Sequence, residues 1–319
     1  MAVETSASDT DNVGMRRREL FRMAALAAGA AGVAVAATEA MAAPAPVWTA
    51  AEMPRQAPAT EGVAELPGTR LWYWDTGGPG QAVVFLHAGT QSGAGWGYQQ
   101  PVFAAAGFRA ISYSRRGYYR SDAGNPADPG IASEDLDNLL KYLKVDKVHL
   151  VAIALGGFFA LDYALVYPAK VRSLSIISSL MGIEPSEKDY ADMNARIRPK
   201  AFDALPNEMK ELHPSYRGGN PDGLAAWMKL EHEAIPGTRI NQKRVYPLTW
   251  ARLESIKHPT LLMTGDGDLY TPPALLRMEH QHMPHAEVSI VAEAGHCANW
   301  EQPAVFNQTV LAFVRKHMG

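Results

Sequence analysis

From Gly62 to the end of this 319-residue chain, short apolar runs alternate with amphipathic stretches. That alternation constrains the fold more than any other feature. Residues 69–75, 82–86, 108–113, 147–151 and 171–177 read as strands, and residues 133–143, 158–166 and 302–317 as helices. The run Ala82-Val83-Val84-Phe85-Leu86 is apolar at every position. A strand covered on one face alternates with period two, so an unbroken apolar run marks a strand buried on both faces. Strands of this kind separated by helices predict an α/β domain with a mostly parallel sheet flanked by helices.

The alternation is interrupted once. Residues 179–252 are polar, contain Met and Pro, and read as several short helices, which predicts a helical cap at about residues 180–252. Strand-like patterning resumes at residues 259–264 and 286–291. The domain is expected to occupy residues 62–319, preceded by an Ala- and Pro-rich linker at 43–61. Before that, Arg16-Arg17-Arg18-Glu19-Leu20-Phe21-Arg22 leads into an Ala-rich apolar run and then Ala40-Met41-Ala42. Paired arginines, a weakly hydrophobic core and a small-x-small cleavage pattern resemble a bacterial twin-arginine signal at residues 1–42. The apolar run is shorter than the ~20 residues a membrane span needs. The expectation is therefore an exported, periplasmic or secreted protein, with the twin-arginine machinery as its transport partner. The single cysteine, Cys297, excludes an intrachain disulfide and any cysteine-based metal site. A formal net charge of −3 gives no electrostatic reason to bind nucleic acid.

Ligands of open α/β sheets bind beyond the carboxyl ends of the strands, and four segments with chemical potential fall there. Phe85-Leu86-His87-Ala88-Gly89 ends one strand in a Gly-rich loop, and Ser114-Arg115-Arg116-Gly117-Tyr118-Tyr119-Arg120-Ser121-Asp122 follows another. Val151-Ala152-Ile153-Ala154-Leu155-Gly156-Gly157 joins a strand to a helix. Gly265-Asp266-Gly267-Asp268 and Gly295-His296 follow the last two strands. In this order the set resembles the α/β-hydrolase superfamily across essentially the whole of residues 62–319. The third segment is similar to the family's nucleophile elbow, G-x-S-x-G, with Ala152 for the first glycine and Ala154 for the serine. Ala88 stands for the usual glycine of the oxyanion loop, and Ser114 for the aspartate of the D-x-R-G-x-G-x-S loop.

The resemblance implies a His296–Asp268 pair, in which the carboxylate fixes the tautomer of the base. It also implies an oxyanion hole from the backbone N–H groups of Gly89 and Leu155. Asp266 is the second candidate for the acid. Ser178 and Ser179, at the end of a core strand, are candidates for a displaced nucleophile. Cys297 directly follows the base and is badly placed to be activated by it. His280, His282 and His285 do not share a helix face at i, i+2 spacing, so no metal is expected, nor any cofactor. His149 alternates with apolar neighbours and reads as a core histidine.

These features predict hydrolysis of an ester, lactone or related carbonyl bond by the His–Asp dyad, with Ala154 in place of the serine nucleophile. Trp227, Met228 and Trp250 in the cap point to a small to medium, partly apolar organic substrate. Two alternatives stay open: a cofactor-independent lyase or oxygenase that uses the same base, and a non-catalytic small-ligand-binding protein. A matched His–Asp pair favours the enzymes, since binding alone does not require it.

Overall fold

The computed structural model of the chain describes residues 50–125 and 127–319. The signal-like segment 1–42 and the first part of the 43–61 linker lie outside the described residues. Eight strands form one sheet: β1 (Thr60–Leu66), β2 (Thr69–Asp75), β3 (Ala82–Leu86), β4 (Arg109–Tyr113), β5 (Val148–Ile153), β6 (Val171–Ile177), β7 (Thr260–Gly265) and β8 (Glu287–Val291). Their order is β1-β2-β4-β3-β5-β6-β7-β8. β1–β2 and β2–β4 are antiparallel, and every pairing from β4 through β3 to β8 is parallel.

Eleven α-helices among the described residues complete the chain. α1 (Gln100–Ala105), α2 (Ala132–Tyr142) and α3 (Leu155–Val166) belong to the first half of the sheet. α4 (Lys188–Ile197), α5 (Asn207–Glu211), α6 (Pro214–Gly219), α7 (Pro221–Ala234) and α8 (Trp250–Ser255) lie between β6 and β7, where the cap of short helices was expected. α9 (Pro273–Gln281), α10 (Ala298–Glu301) and α11 (Pro303–Lys316) follow.

β3, β5 and β7 are buried at every position, and their side chains divide between two cores. Val84, Leu86, Leu150 and Ala152 pack with residues of α2, α3 and α9 on one face. Val83, Phe85, Val151 and Ile153 pack with Phe103 of α1 and Phe306 and Val310 of α11 on the other. Period-two side-chain alternation in the central strands thus fills both layers, as their apolar runs require.

β1 was not expected from the sequence. Gly62 faces Tyr73 across the β1–β2 pair, and a Cβ on Gly62 would lie 3.2 Å from the Tyr73 hydroxyl. The aromatic ring thus covers a strand too poor in large side chains to show a pattern of its own. The preceding residues are tied down as well: Ala57 N–H donates to Gln100 Oε1 and Gln100 Nε2 donates to Ala57 O, both at 2.9 Å.

The strand order fixes where a ligand can sit. From β3 the chain passes to β4 on one side, then crosses back to β5 on the other side of β3. This reversal opens a crevice at the carboxyl ends of β3 and β5, where Leu86 and Ala152 are register partners.

Candidate active site

Ala154 follows the last residue of β5 and has φ 51° and ψ −118°. A residue with a Cβ seldom adopts this conformation, which costs about 1–3 kcal/mol and persists only where its surroundings impose it. Those surroundings are identifiable. Ala154 N–H donates to Ile177 O at 2.9 Å, and Ser179 Oγ donates to Ala154 O at 2.7 Å. Gly156 and Gly157 let α3 press onto the sheet. A Cβ on Gly156 would fall 2.3 Å from Leu86 O, and one on Gly157 2.4 Å from Ser179 Oγ. The strand–turn–helix expected of the elbow is present, with an alanine at its apex.

His296 Nδ1 lies 3.0 and 2.9 Å from the two oxygens of Asp268. Asp268 Oδ1 also accepts the N–H groups of Tyr270 at 2.7 Å and Thr271 at 2.9 Å, and Oδ2 accepts the Thr264 hydroxyl at 3.0 Å. Burial opposes the Asp268 charge, but His296 and these donors outweigh it and hold the carboxyl below the ordinary carboxylate range. Burial likewise opposes an imidazolium at His296. Asp268, with Glu211 and Glu301 behind it, prevails and raises the imidazole above its usual value. Asp266, the second candidate acid, instead accepts a long bond from Ala294 N–H at 3.4 Å.

The loop that carries His296 is held on both sides. Glu301 Oε1 accepts the N–H groups of Gly295 at 2.9 Å and Cys297 at 3.2 Å, while Oε2 accepts that of His213 at 2.6 Å. His296 N–H donates to the carbonyl of Glu211, the last residue of α5, at 2.7 Å. The cap is therefore stitched to the base.

The loop after β3 is braced by Arg115. This buried guanidinium donates to His87 O at 2.6 Å and Ala88 O at 3.0 Å. His87 Nε2 accepts Arg115 N–H at 3.1 Å, which leaves Nδ1 as donor to Ala88 O at 2.7 Å. Burial, reinforced by Arg115, pushes this imidazole well below its usual value, so His87 is neutral. Arg116 makes a bidentate pair with Asp135, at 2.7 and 2.8 Å. Gly89 and Leu155 are neighbours, since a Cβ on Gly89 would lie 3.6 Å from that of Leu155. As the first residue of α3, Leu155 has an N–H outside the helix's own ladder.

A cavity of about 280 Å³ joins these parts. Ala154, Leu155, Gly89, Ser178 and His296 line it, together with Phe158, Leu180, Tyr270, Thr90 and the cap residues Arg198, Glu211 and Arg239. The cap residues singled out in the sequence do not border it. Trp227 and Met228 belong to a separate cluster with Tyr98 and Trp300, and Trp250 stacks on His282 at 3.9 Å. These large apolar side chains seat the cap on the rest of the domain, while the cap residues Arg198, Glu211 and Arg239 at the cavity are charged.

The other marked residues have identifiable surroundings. His149 is buried between Ser173 Oγ at 2.7 Å and Gln81 Oε1 at 2.9 Å. Burial pushes the Cys297 thiol well up, away from a reactive thiolate. Ser179 is committed to Ala154 O and Met181 N–H. Ser178 Oγ is buried and has no hydrogen-bond partner. Sequence reasoning missed Glu211, Arg198 and Arg239, because nothing local in the cap sequence distinguishes them from solvated charges.

Residues 83–309 match the family described as the Alpha/beta hydrolase family. Over 273 residues the chain is 28% identical to a 2-hydroxy-6-oxononadienedioate/2-hydroxy-6-oxononatrienedioate hydrolase of Burkholderia vietnamiensis, an alignment covering 77% of this chain and 91% of the relative. The fold is similar to a thermophilic esterase from Thermogutta terrifontis, with TM-score 0.66 and 20% identity over 82% of this chain and 100% of the other. It is also similar to the enol-lactonase from Burkholderia xenovorans LB400, with TM-score 0.62 and 21% identity over 80% and 100% of the two chains. The chain belongs to the alpha/beta hydrolase family, and is a hydrolase.

Proposed function

We propose that the protein hydrolyses a bond at a carbonyl carbon of a small organic acid, with water rather than a side chain as nucleophile. The observation that carries this reading is the Asp268-paired His296 bordering the same cavity as the strained, serine-less turn at Ala154. Asp268 holds the proton on His296 Nδ1, which leaves Nε2 free to accept one from water. The hydroxide so formed attacks the carbonyl carbon. The N–H groups of Gly89 and Leu155 receive the developing oxyanion. Collapse breaks the bond to the leaving group, and the imidazolium returns its proton to the leaving atom. One water is consumed, and an acid and the protonated leaving group are released.

Two arginines face one carboxyl in the lining, that of Glu211, whose charge burial opposes, and this balance supports an anionic substrate. Arg198 and Arg239 border the cavity beside apolar Leu155, Phe158 and Leu180. A guanidinium recognises a carboxylate more specifically than it recognises a neutral polar group. The Burkholderia vietnamiensis relative is named for dioate substrates, which accords with this lining. A panel of esters, lactones and β-dicarbonyl compounds, each with and without a carboxylate, tests the reading. Turnover of acid-bearing members is expected, and a panel with no turnover would overturn it.

We also propose export of the folded chain by the twin-arginine route, supported by Arg16-Arg17 ahead of Leu20-Phe21. Replacing both arginines with lysine is expected to leave the protein in the cytoplasm.

A further inference from the structure

Glu211 ends α5 and brings the one carboxyl among the described lining residues to the cavity that His296 borders. Its place is fixed at both ends. The Glu211 carbonyl accepts the His296 N–H at 2.7 Å. In the side chain, Oε2 accepts the Thr90 hydroxyl at 2.8 Å and lies 3.6 Å from Cys297 Sγ. The carboxyl therefore sits between the oxyanion loop, where Thr90 follows Gly89, and the loop that carries the base. Oε1 differs from Oε2: among the described residues it has no hydrogen-bond partner, yet it is not one of the unpartnered atoms sealed from solvent. A buried carboxyl with one accessible, unused oxygen in a cavity has a position left for a ligand atom.

The form of that carboxyl follows from its neighbours. Asp268 keeps its charge by accepting two N–H groups and a hydroxyl beside His296. Glu211 is 3% exposed, accepts no N–H group at its side chain, and forms no ion pair among the described residues. A carboxyl so placed is more stable as the neutral acid. Asp268, Tyr270, His296 and Cys297 face it from the loops after β7 and β8, and Arg198 and Arg239 share its cavity from the cap. Burial is the largest influence against its charge, Asp268 adds to it, and an imidazolium at His296 leads the opposition. When His296 is the neutral base, that opposition is gone. With Oε2 taken up by Thr90, the proton of the acid lies on Oε1. An ionised Glu211 would instead repel an anion and compete with it for the two arginines.

We propose that Glu211 is a specificity-determining residue that admits a carboxylate ligand only in its protonated form, Oε1–H donating to the carboxylate while Arg198 and Arg239 supply positive charge. This rests on the reading of the cavity as the site of a hydrolase for an organic acid. Binding takes up one proton wherever Glu211 was ionised beforehand, and no covalent bond in the ligand changes. Affinity for the anion is therefore fully present below the Glu211 midpoint. Above it, affinity falls by up to about tenfold per pH unit, the slope for one proton.

Calorimetric titration of the full chain with hexanoate and with its neutral twin hexanamide tests the assignment from about pH 5 to about pH 8, where folded proteins are generally most stable. Difference infrared spectra of the hexanoate complex accompany it. His296 also loses positive charge as pH rises, so the decisive comparison is with Glu211→Gln, which keeps a neutral donor and removes only the Glu211 proton. The Kd for hexanoate is expected to rise with pH in the wild type, and less steeply in Glu211→Gln by up to about tenfold per unit. The Kd for hexanamide should not rise. At the upper end of the range, hexanoate should bring up a carboxylic-acid C=O band in the wild type that Glu211→Gln lacks. Equal slopes in the two proteins, no such band, or no hexanoate binding at the lowest pH would each overturn the proposal. Equal wild-type slopes for hexanoate and hexanamide would overturn it without recourse to a variant. Titration needs no turnover. Proton-linked hexanoate binding in a protein that hydrolyses no carbonyl substrate would support the role of Glu211 while refuting the hydrolase reading, so the two failures are distinguishable.

Discussion

His296 Nδ1 meets both carboxylate oxygens of Asp268, at 2.9 and 3.0 Å, in a setting where both residues are buried. The pair sets the pH profile expected of the enzyme. A general base must be neutral to act, and although burial opposes the imidazolium, Asp268 raises His296 above its ordinary value of 6.5. kcat/KM is therefore expected to rise with pH through a midpoint above 6.5. Asp268→Asn removes the largest raising influence, so the residual activity should have its midpoint at lower pH, with kcat down by about 100-fold or more. A midpoint that stays in place in Asp268→Asn would remove His296 as the group being titrated.

Filling the elbow should change the chemistry. His296, Gly89 and Leu155 border the cavity already, and Asp268 is paired with His296, so Ala154→Ser supplies only the missing oxygen. Esterase activity is expected to appear or rise, accompanied by an acyl-enzyme detectable by mass spectrometry. Hydrolysis of the native substrate by water should fall, since the new hydroxyl occupies the water's place. A folded Ala154→Ser variant that hydrolyses no ester or lactone would contradict the proposed site.

Gly157 makes the elbow possible by letting α3 approach Ser179. A methyl group there would lie 2.4 Å from Ser179 Oγ and 2.7 Å from its Cβ. Gly157→Ala must displace the hydroxyl that holds Ala154 O, and is expected to destabilise the fold by about 1–3 kcal/mol in urea unfolding. A methyl group on Gly237 would meet nothing within 4 Å, so Gly237→Ala should stay within about 0.5 kcal/mol. Equal effects at the two sites would contradict the packing argument.

Substrate charge should be read by the cap. Arg239 lies against the oxyanion loop, its Nη2 2.9 Å from where a Gly89 Cβ would be. Arg198 borders the same cavity. Arg198→Ala and Arg239→Ala are expected to raise KM for carboxylate-bearing substrates by about 10-fold or more, a loss typical of a charged hydrogen bond. Neutral esters of the same acids should be affected little. Equal losses on both substrate classes would make the arginines structural.

The core of the fold was legible because its signals are local and physically strong. β2, β3 and β6 could be bounded from their apolar runs, and the elbow from a strand end, two glycines and a helix. His296 and Asp268 were legible from their place after the last two strands. What was hidden depends on tertiary contact. β1 shows no pattern because Tyr73 covers Gly62 from the next strand. Glu211 is one acidic residue among many in the cap until folding places it against Thr90, whose hydroxyl donates to it at 2.8 Å. Ser178 was visible as a residue at a strand end, but its unpaired hydroxyl and strained backbone exist only in three dimensions.

The proposed role of His296 is that of base for water in a cavity without a serine nucleophile. Its most direct test is kcat/KM for the wild type and His296→Ala on one substrate drawn from the carboxylate-bearing panel. A general base contributes about 10²–10⁴-fold, so a loss of at least about 100-fold is expected, with no acyl adduct on the wild type during turnover. Equal activity in the two proteins would contradict the account.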